Sequence, residues 1–314
     1  MTQSSGSRTS QGYGARRKLG GRSRLEIGRW GKALIFLAPA VLLYFIFVVR
    51  PTVEVFRLSF TSWNGISATK PWIGLDNYRE LLTDKLFWQS FRNTVIWATI
   101  IVVINVFIGL ILAALLAQPI RGRVYYQLAH FLPVIQAPIV TAVIWRWMYQ
   151  PKGAINTFLH TIGLGSLAKG WLGDFHWALP ALAIASAWQG LGLSIVIFLG
   201  GLQNIDPSLY EAAELDGANR IQSFWHITRP GLEQVTTMVL MLVITGAFKA
   251  FDLVWATTQG GPVRATELLA TYMYKRGMLE TRYGYGCTVA VFLMITVTAF
   301  SALYMKRQQM KELE

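Results

Sequence analysis

EAAELDGANRIQSFWHITRP, residues 211–230, decides how this chain is read. The stretch is polar and helix-forming, yet it lies between two strongly apolar runs. A connection between two membrane-crossing helices needs only a few residues, and this one is longer and has internal order. Asp206 can cap a helix N-terminus, Pro207 suits the first helical position, and Ser208 to Asp216 are helix formers. Gly217 then suits a left-handed stop, and Asn219 can cap a second short helix from Arg220 to about Thr228. Ala212 and Ala213, flanked by Tyr210 and Glu211, leave a side-chain-poor surface that a partner's cleft can approach closely. The plainer alternative, from pattern alone, is an ordinary amphipathic loop helix.

Composition sets the surrounding class. The chain has 314 residues, 53% of them hydrophobic and only 14% charged, with a mean hydropathy of +0.40. Soluble domains carry nearer a quarter charged residues, so this is a membrane-protein composition. The net charge of +13 would suit a nucleic-acid partner, but its distribution argues against one. Arg8, Arg16, Arg17, Lys18, Arg22, Arg24, Arg29 and Lys32 all precede the first apolar run, opposed only by Glu26. That is the positive-inside pattern of a cytoplasmic N-terminus. The single cysteine, Cys287, rules out an internal disulfide framework. His130, His160, His176 and His226 lack ligand spacing and read as structural, so no metal site is expected.

Residues 1–28, rich in Ser, Gly, Arg and Gln, are expected to form a disordered basic tail. One integral membrane domain, 29–314, accounts for the rest. Six spans are expected, at about 32–49, 94–117, 128–148, 179–202, 236–256 and 287–304, each near the roughly 20 residues that cross the hydrocarbon. The first runs into Arg50-Pro51 without a good cleavage site and reads as an uncleaved anchor. Counting crossings puts both termini and the 118–127 and 203–235 loops in the cytoplasm, with Arg121, Arg123, Lys306, Arg307 and Lys311 in agreement. In the first outer segment, DNYRELLTDKLFWQSFRN reads as an amphipathic helix. Asp76 is its candidate cap, and Leu82, Phe87, Trp88 and Phe91 could rest on the membrane interface.

The 211–230 segment resembles the EAA loop of the permease subunits of bacterial ABC importers: EAA, then after three residues a Gly, then Ile-x-Leu-Pro. Glu211, Ala212, Ala213, Asp216, Gly217, Ala218, Ile227 and Pro230 match, and Arg229 stands where that pattern has Leu. Further pieces follow in the same order. They are LAPAVLLYFIFVVRPTVEVFRLSF at the first span, Gly74-Leu75-Asp76-Asn77-Tyr78, Asn93-Thr94, and Met148-Tyr149 with Gly153-Ala154-Ile155-Asn156. Thr258-Gln259-Gly260-Gly261-Pro262, Tyr272-Met273-Tyr274 and Gly284-Tyr285-Gly286 complete the set. Over roughly residues 33–305 the chain is similar to the maltose-permease branch of carbohydrate importers. The resemblance implies an all-α membrane protein with six transmembrane helices, the type I ABC importer permease fold, and cytoplasmic coupling helices. It also implies a bacterial inner-membrane location, a second homologous permease, an ATPase dimer, an extracytoplasmic solute-binding protein, and a sugar or polyol as solute.

No phosphate-binding G-x-x-x-x-G-K-[ST] loop, H-E-x-x-H motif or nucleophile elbow occurs, so no catalytic residue is expected and this chain should bind no cofactor. ATP and Mg would belong to partner subunits. The resemblance makes Tyr210, Glu211, Ala212, Ala213, Asp216 and Gly217 the docking residues for the ATPase. For the solute pathway the candidates are Trp188 and Gln189 in the fourth span, and Thr245, Phe248, Lys249 and Asp252 in the fifth. Charges inside a span usually face a partner or a wet cavity. Lys249 and Asp252, three apart, are expected to share one helix face with Thr245, either as an internal ion pair or as pathway lining. A glycerol-phosphate importer permease is the alternative within the class. A secondary transporter is the alternative outside it, although the 211–230 loop would then have no purpose.

Overall fold

The structure is a computed structural model that describes residues 36–312. The 1–28 tail and the start of the first span, with their basic side chains, lie outside the described residues. The chain divides into two compact units, Met1–Glu54 and Val55–Glu314. Among the described residues of the first unit is most of helix α1, Phe36–Leu58, whose apolar side chains from Phe36 to Val48 are uncovered. Its turn Phe45–Val49 is wound as π-helix just before Pro51. Proline has no N–H for the carbonyl four residues back and its ring crowds that carbonyl, and a wider turn accommodates both.

The second unit follows as α2 (Asp76–Thr83), α3 (Lys85–Ala117), α4 (Arg123–Ile135), α5 (Pro138–Met148), α6 (Ala154–Thr161) and α7 (Ala178–Leu202). After these come α8 (Pro207–Leu215), α9 (220–231), α10 (Glu233–Phe248), α11 (Asp252–Thr257), α12 (Leu269–Tyr274) and α13 (Tyr283–Glu312). Among the described residues no strand forms, only an isolated bridge between Thr61 and Trp72. Among the described residues five helical stretches are long and apolar enough to cross a membrane, α10 and α11 counting as one, and six crossings result when α4 and α5 are also taken as one broken span. The all-α membrane architecture expected from sequence is the one observed.

At the centre lies α7. Its small residues Ala181, Ala185, Ala187, Gly192 and Ser194 are buried, and α3, α4, α5 and α10 pack around it. With lipid tails as apolar as leucine, helices in a membrane are held by close approach more than by hydrophobic burial. Gly192 shows how close: a Cβ there would stand 2.1 Å from the His130 carbonyl oxygen of α4. Trp97, Leu182, Ile195 and Phe198 fill the remaining space.

Three expectations need correction. The run 76–93 is not one interfacial helix. It breaks at Asp84, whose extended backbone ends α2 and whose carboxylate accepts from the Leu86 and Phe87 amides at 2.8 and 3.4 Å to start α3. Phe87 is fully buried, while Leu82 and Trp88 stay exposed, and Leu75 rather than Asp76 precedes the first turn. The third span is bent by 105° between α4 and α5. Pro138 drives the residue before it, Ala137, into extended backbone. The fifth span is also broken: Lys249 ends α10 and α11 begins at Asp252. Phe251 in the gap stacks on Trp255 at 5.5 Å and meets Tyr274 edge-on at 5.3 Å, which holds the break. The helix face that was to pair Lys249 with Asp252 therefore does not exist.

Asp84 also ties α3 to α12. Its carboxylate accepts a short hydrogen bond from the Tyr272 hydroxyl, one from the Tyr285 hydroxyl at 3.3 Å, and pairs with Arg276 at 3.1 Å. Arg276 also pairs with Glu280 at 2.6 Å, and Arg282 forks onto Glu80. Burial opposes ionisation of Asp84, but the Tyr272 hydroxyl, the two cap amides and Arg276 outweigh it and hold the carboxyl below its usual value. Burial, and then donation to Asp84, pushes the Tyr272 hydroxyl up to about 12.

A group whose folded pKa is depressed stabilises above its unfolded value, about 3.9 for Asp, and loses that contribution as pH falls through the folded pKa. Asp84→Asn keeps a capping oxygen but removes the charge. Thermal unfolding in detergent should show it less stable by roughly 1–2 kcal/mol at pH 7. The gap from wild type should narrow only below about pH 4; a gap independent of pH down to 3 would contradict the ion-pair role.

Candidate functional site

The loop joining α7 to α10 is a built unit. The Asp206 carboxylate accepts from the Ser208 amide at 2.9 Å, with Pro207 at the first helical position. That amide, and then the Ser208 side chain, hold the Asp206 carboxyl below its usual value. At the other end of α8, the Ala218 amide donates to the Ala213 carbonyl at 2.9 Å and the Gly217 amide to that of Glu214 at 3.1 Å. These close a left-handed turn at Gly217, φ +78°. No atom lies within 4 Å of a Cβ built there, so the turn's handedness, not space, demands glycine. Asn219 then opens α9 with a capping box: its side chain accepts from the Gln222 amide at 2.9 Å, and Gln222 accepts from the Asn219 amide at 2.8 Å.

The two loop helices are joined by the Tyr210 and Thr228 hydroxyls at 2.9 Å. Leu232 is fully buried, and Leu202, Ile205, Phe224 and Val235 pack against the main core. The loop is thereby packed onto the end of α7 and the start of α10. Glu211, Ala212, Asp216 and Gly217 are exposed, Ala213 and Tyr210 half-buried. A cleft of about 300 Å³ opens between the helices beside Ala213, Asp216 and Gly217. Arg229 lies 5.2 Å over the Trp225 ring, which accounts for an arginine at that position. Sequence reading missed the exposed apolar residues on this surface, Leu215, Ile221 and Trp225, at 89, 71 and 53% exposure. Apolar residues in a polar loop outside any span were the available signal.

The pathway candidates gather around the two broken spans. Gln189 donates to the Gln136 carbonyl at 2.9 Å, serving the backbone freed at the α4–α5 bend. Trp188 meets Trp145 of α5 edge-on at 5.6 Å. The Gln136 carbonyl side-chain oxygen, the Thr141 hydroxyl and the Trp145 indole nitrogen are buried without a hydrogen-bond partner among the described residues. From the other side, α11 packs on α5 and α7. Lys249 and Asp252 are exposed at the two ends of the break, Thr245 and Phe248 are half-buried, and among the described residues no ion pair joins Lys249 to Asp252.

Beyond α11 the Gly260-Gly261-Pro262 loop winds through left-handed Gln259, Val263 and Arg264. Non-glycine residues tolerate that backbone only where surroundings impose it. Here Asn93 of α3 donates towards the carbonyls of Arg264, Ala265 and Glu267 at 3.1–3.3 Å. Glu267, fully buried, pairs with Lys275 at 2.9 Å and Arg264 at 3.2 Å.

Residues 105–309 match the family model described as "Binding-protein-dependent transport system inner membrane component". The chain is 38% identical over 275 residues to the probable ABC transporter permease protein YurN of Bacillus subtilis (strain 168), covering 87% of this chain and 94% of that one. It is 32% identical over 281 residues to the lactose transport system permease protein LacF of Rhizobium radiobacter, covering 88% and 94%. Its fold matches a chain of the bacterial alginate ABC transporter crystallised with an alginate pentasaccharide-bound periplasmic protein. That match has a TM-score of 0.78 at 21% identity, over 91% of this chain and 98% of the other. On these matches the chain belongs to the binding-protein-dependent transport system inner membrane components, the permease subunits of ABC transporters.

Proposed function

We propose that this chain is one transmembrane subunit of an ATP-driven importer for a sugar or related polyol, and forms half of the translocation pathway. A second homologous permease forms the other half. ATP and Mg are bound and hydrolysed on a dimer of separate ATPase subunits, and an extracytoplasmic binding protein delivers the solute. Both termini and the 203–235 loop face the cytoplasm of a bacterial cell. The lactose named for one relative, and the alginate saccharide on the periplasmic protein of the structural neighbour, support the solute class.

One observation carries this reading: the exposed α8–Gly217–α9 unit is locked internally by caps and packed onto α7 and α10. A rigid knob fixed to two spans is what a motor subunit can push. Tyr210 to Ala213, Asp216 and Gly217 seat in the ATPase cleft, and closure of the ATPase dimer swings the attached spans. Alternating access then needs a differential contact in the two states, and the loop supplies it.

Two substitutions test the coupling role on the assembled importer. Glu211→Lys alters only an exposed side chain, whereas Gly217→Leu opposes the left-handed turn. Both should leave membrane insertion intact and lower ATP-driven uptake by about tenfold, equivalent to roughly 1.4 kcal/mol in the barrier to transport. Normal uptake by fully assembled Glu211→Lys would refute docking through this face.

The break in the fifth span generates a second test. Lys249 and Asp252 stand exposed at its ends, so Lys249→Met with Asp252→Asn should leave thermal stability of the subunit unchanged while uptake falls or solute preference shifts. Full activity of the double variant would remove this pair from the pathway. Topology is checked by cysteine labelling: a thiol placed at position 261 should react from outside the cell and tags on both termini only from within.

A further inference from the structure

Directly after α5 the chain turns back at Gly153. A Cβ there would stand 2.4 Å from the Met148 carbonyl oxygen, so glycine is what lets α6 start this close to the end of the span. Asn156, 2% exposed, then staples the turn. Its amide donates to the Pro151 and Lys169 carbonyls at 3.1 and 2.8 Å. Its oxygen accepts from the Lys169 amide at 3.3 Å and from the Trp171 indole N–H at 2.8 Å. Ile155 and Trp171 pack against the main core. At its far end α6 stops on left-handed Gly163, where the Leu164 amide donates to the Leu159 carbonyl at 2.8 Å and the Gly163 amide to that of His160 at 3.1 Å.

This fixed helix presents three sides. At about 100° per residue, Ile155, Asn156 and Leu159 share the side covered by protein. Thr157, His160 and Thr161 share a second side, polar and exposed. Bordered by both, on the third, are Phe158 and, one turn on, Ile162, at 63 and 49% exposure. Leu164 and Leu167 on the following turns are exposed to 45 and 49%. An amphipathic helix at a protein surface needs only two sides, one buried and one polar. A third that is apolar and uncovered fits a helix lying where protein, water and hydrocarbon meet.

The flanking spans set its level. Because α5 and α7 belong to successive crossings, both ends of the 149–177 segment stand at one membrane surface. Along α5, Ile139, Val143 and Trp147 are exposed four residues apart, ending in a tryptophan, a residue that spans carry at the headgroups. Lys152 is exposed, and Lys169 lies 4.3 Å over the Trp177 ring. Such long cationic side chains reach phosphates while their stems rest on apolar surface.

We propose that α6 and the turn after it are an interfacial anchor. Phe158, Ile162, Leu164 and Leu167 enter the phospholipid interface on the side of the membrane opposite the 203–235 loop, with Lys152 and Lys169 at the phosphates. The anchor holds this end of the broken third span, whose α5, at 11 residues, is too short to cross alone.

Spin labels on introduced cysteines test this, in the full-length chain in its purified complex, reconstituted into nanodiscs of phosphatidylethanolamine and phosphatidylglycerol. The unsubstituted chain, whose one cysteine, Cys287, is buried, gives the background. Labels at Phe158→Cys and Ile162→Cys should collide with dissolved oxygen in preference to a water-soluble nickel chelate, at a depth of about 5–10 Å below the phosphates. Labels at Thr157→Cys and Thr161→Cys should show the reverse preference. Leu164→Cys and Leu167→Cys carry the same test should a substitution in α6 fail to assemble. A preference for the chelate at 158 and 162 would overturn the proposal by leaving the ridge in water. Immobile labels shielded from both reagents would overturn it as well, by assigning the ridge to a neighbouring subunit. So would loss of oxygen contact on adding a solute-binding protein.

Discussion

The contact on which the rest of this bundle depends is the close approach of backbones to α7. Ala181, Ala185, Ala187 and Gly192 let neighbouring helices come near enough for dispersion to act over whole turns, and at Gly192 the carbonyl of His130 sits where a methyl would be. Because α3, α4, α5 and α10 all pack on this one helix, their relative placement follows from it. In hydrocarbon the apolar side chains of α1 and of the outer faces give little drive to associate, so shape decides.

A second constraint is that every break in a span must have its polar groups served. Gln189 does this for the α4–α5 bend by donating to the Gln136 carbonyl, and α7 thereby holds the bend as well as the helices. The break between α10 and α11 is held by aromatic contacts of Phe251 with Trp255 and Tyr274. Non-helical backbone within a span is tolerated only where it is buried in protein or lines a water-filled cavity. The candidate pathway residues from two spans lie at these two breaks.

At the two ends of the bundle the chain uses different devices. One end carries the capped α8–α9 unit, where local hydrogen bonds set the shape and Leu232, Ile205 and Phe224 transmit it to the core. At the other, long-range polar contacts do the fixing: Asp84 and Asn93, near the start of α3, reach residues about 170–190 positions later. In the proposed cycle the first end receives force and the second keeps the outer loop in its left-handed course while spans move between them.

The short-range features were legible in the sequence. Asp206, Gly217 and Asn219 act on neighbours two to five residues away, so residue type alone determined the helix, its stop and the second cap. Apolar run length likewise determined the number of crossings. What the sequence did not determine is where spans break and what meets across them. Lys249 and Asp252 share a face only if the helix continues, and the packing of Phe251 on Trp255 and Tyr274 ends it. Phe87 fits an interfacial helix by pattern, and only the cap at Asp84 turns it into the core. The burial of Trp97 and Asn105 beside Gly190 depends on how α3 and α7 approach, a property of two helices together that neither sequence segment contains.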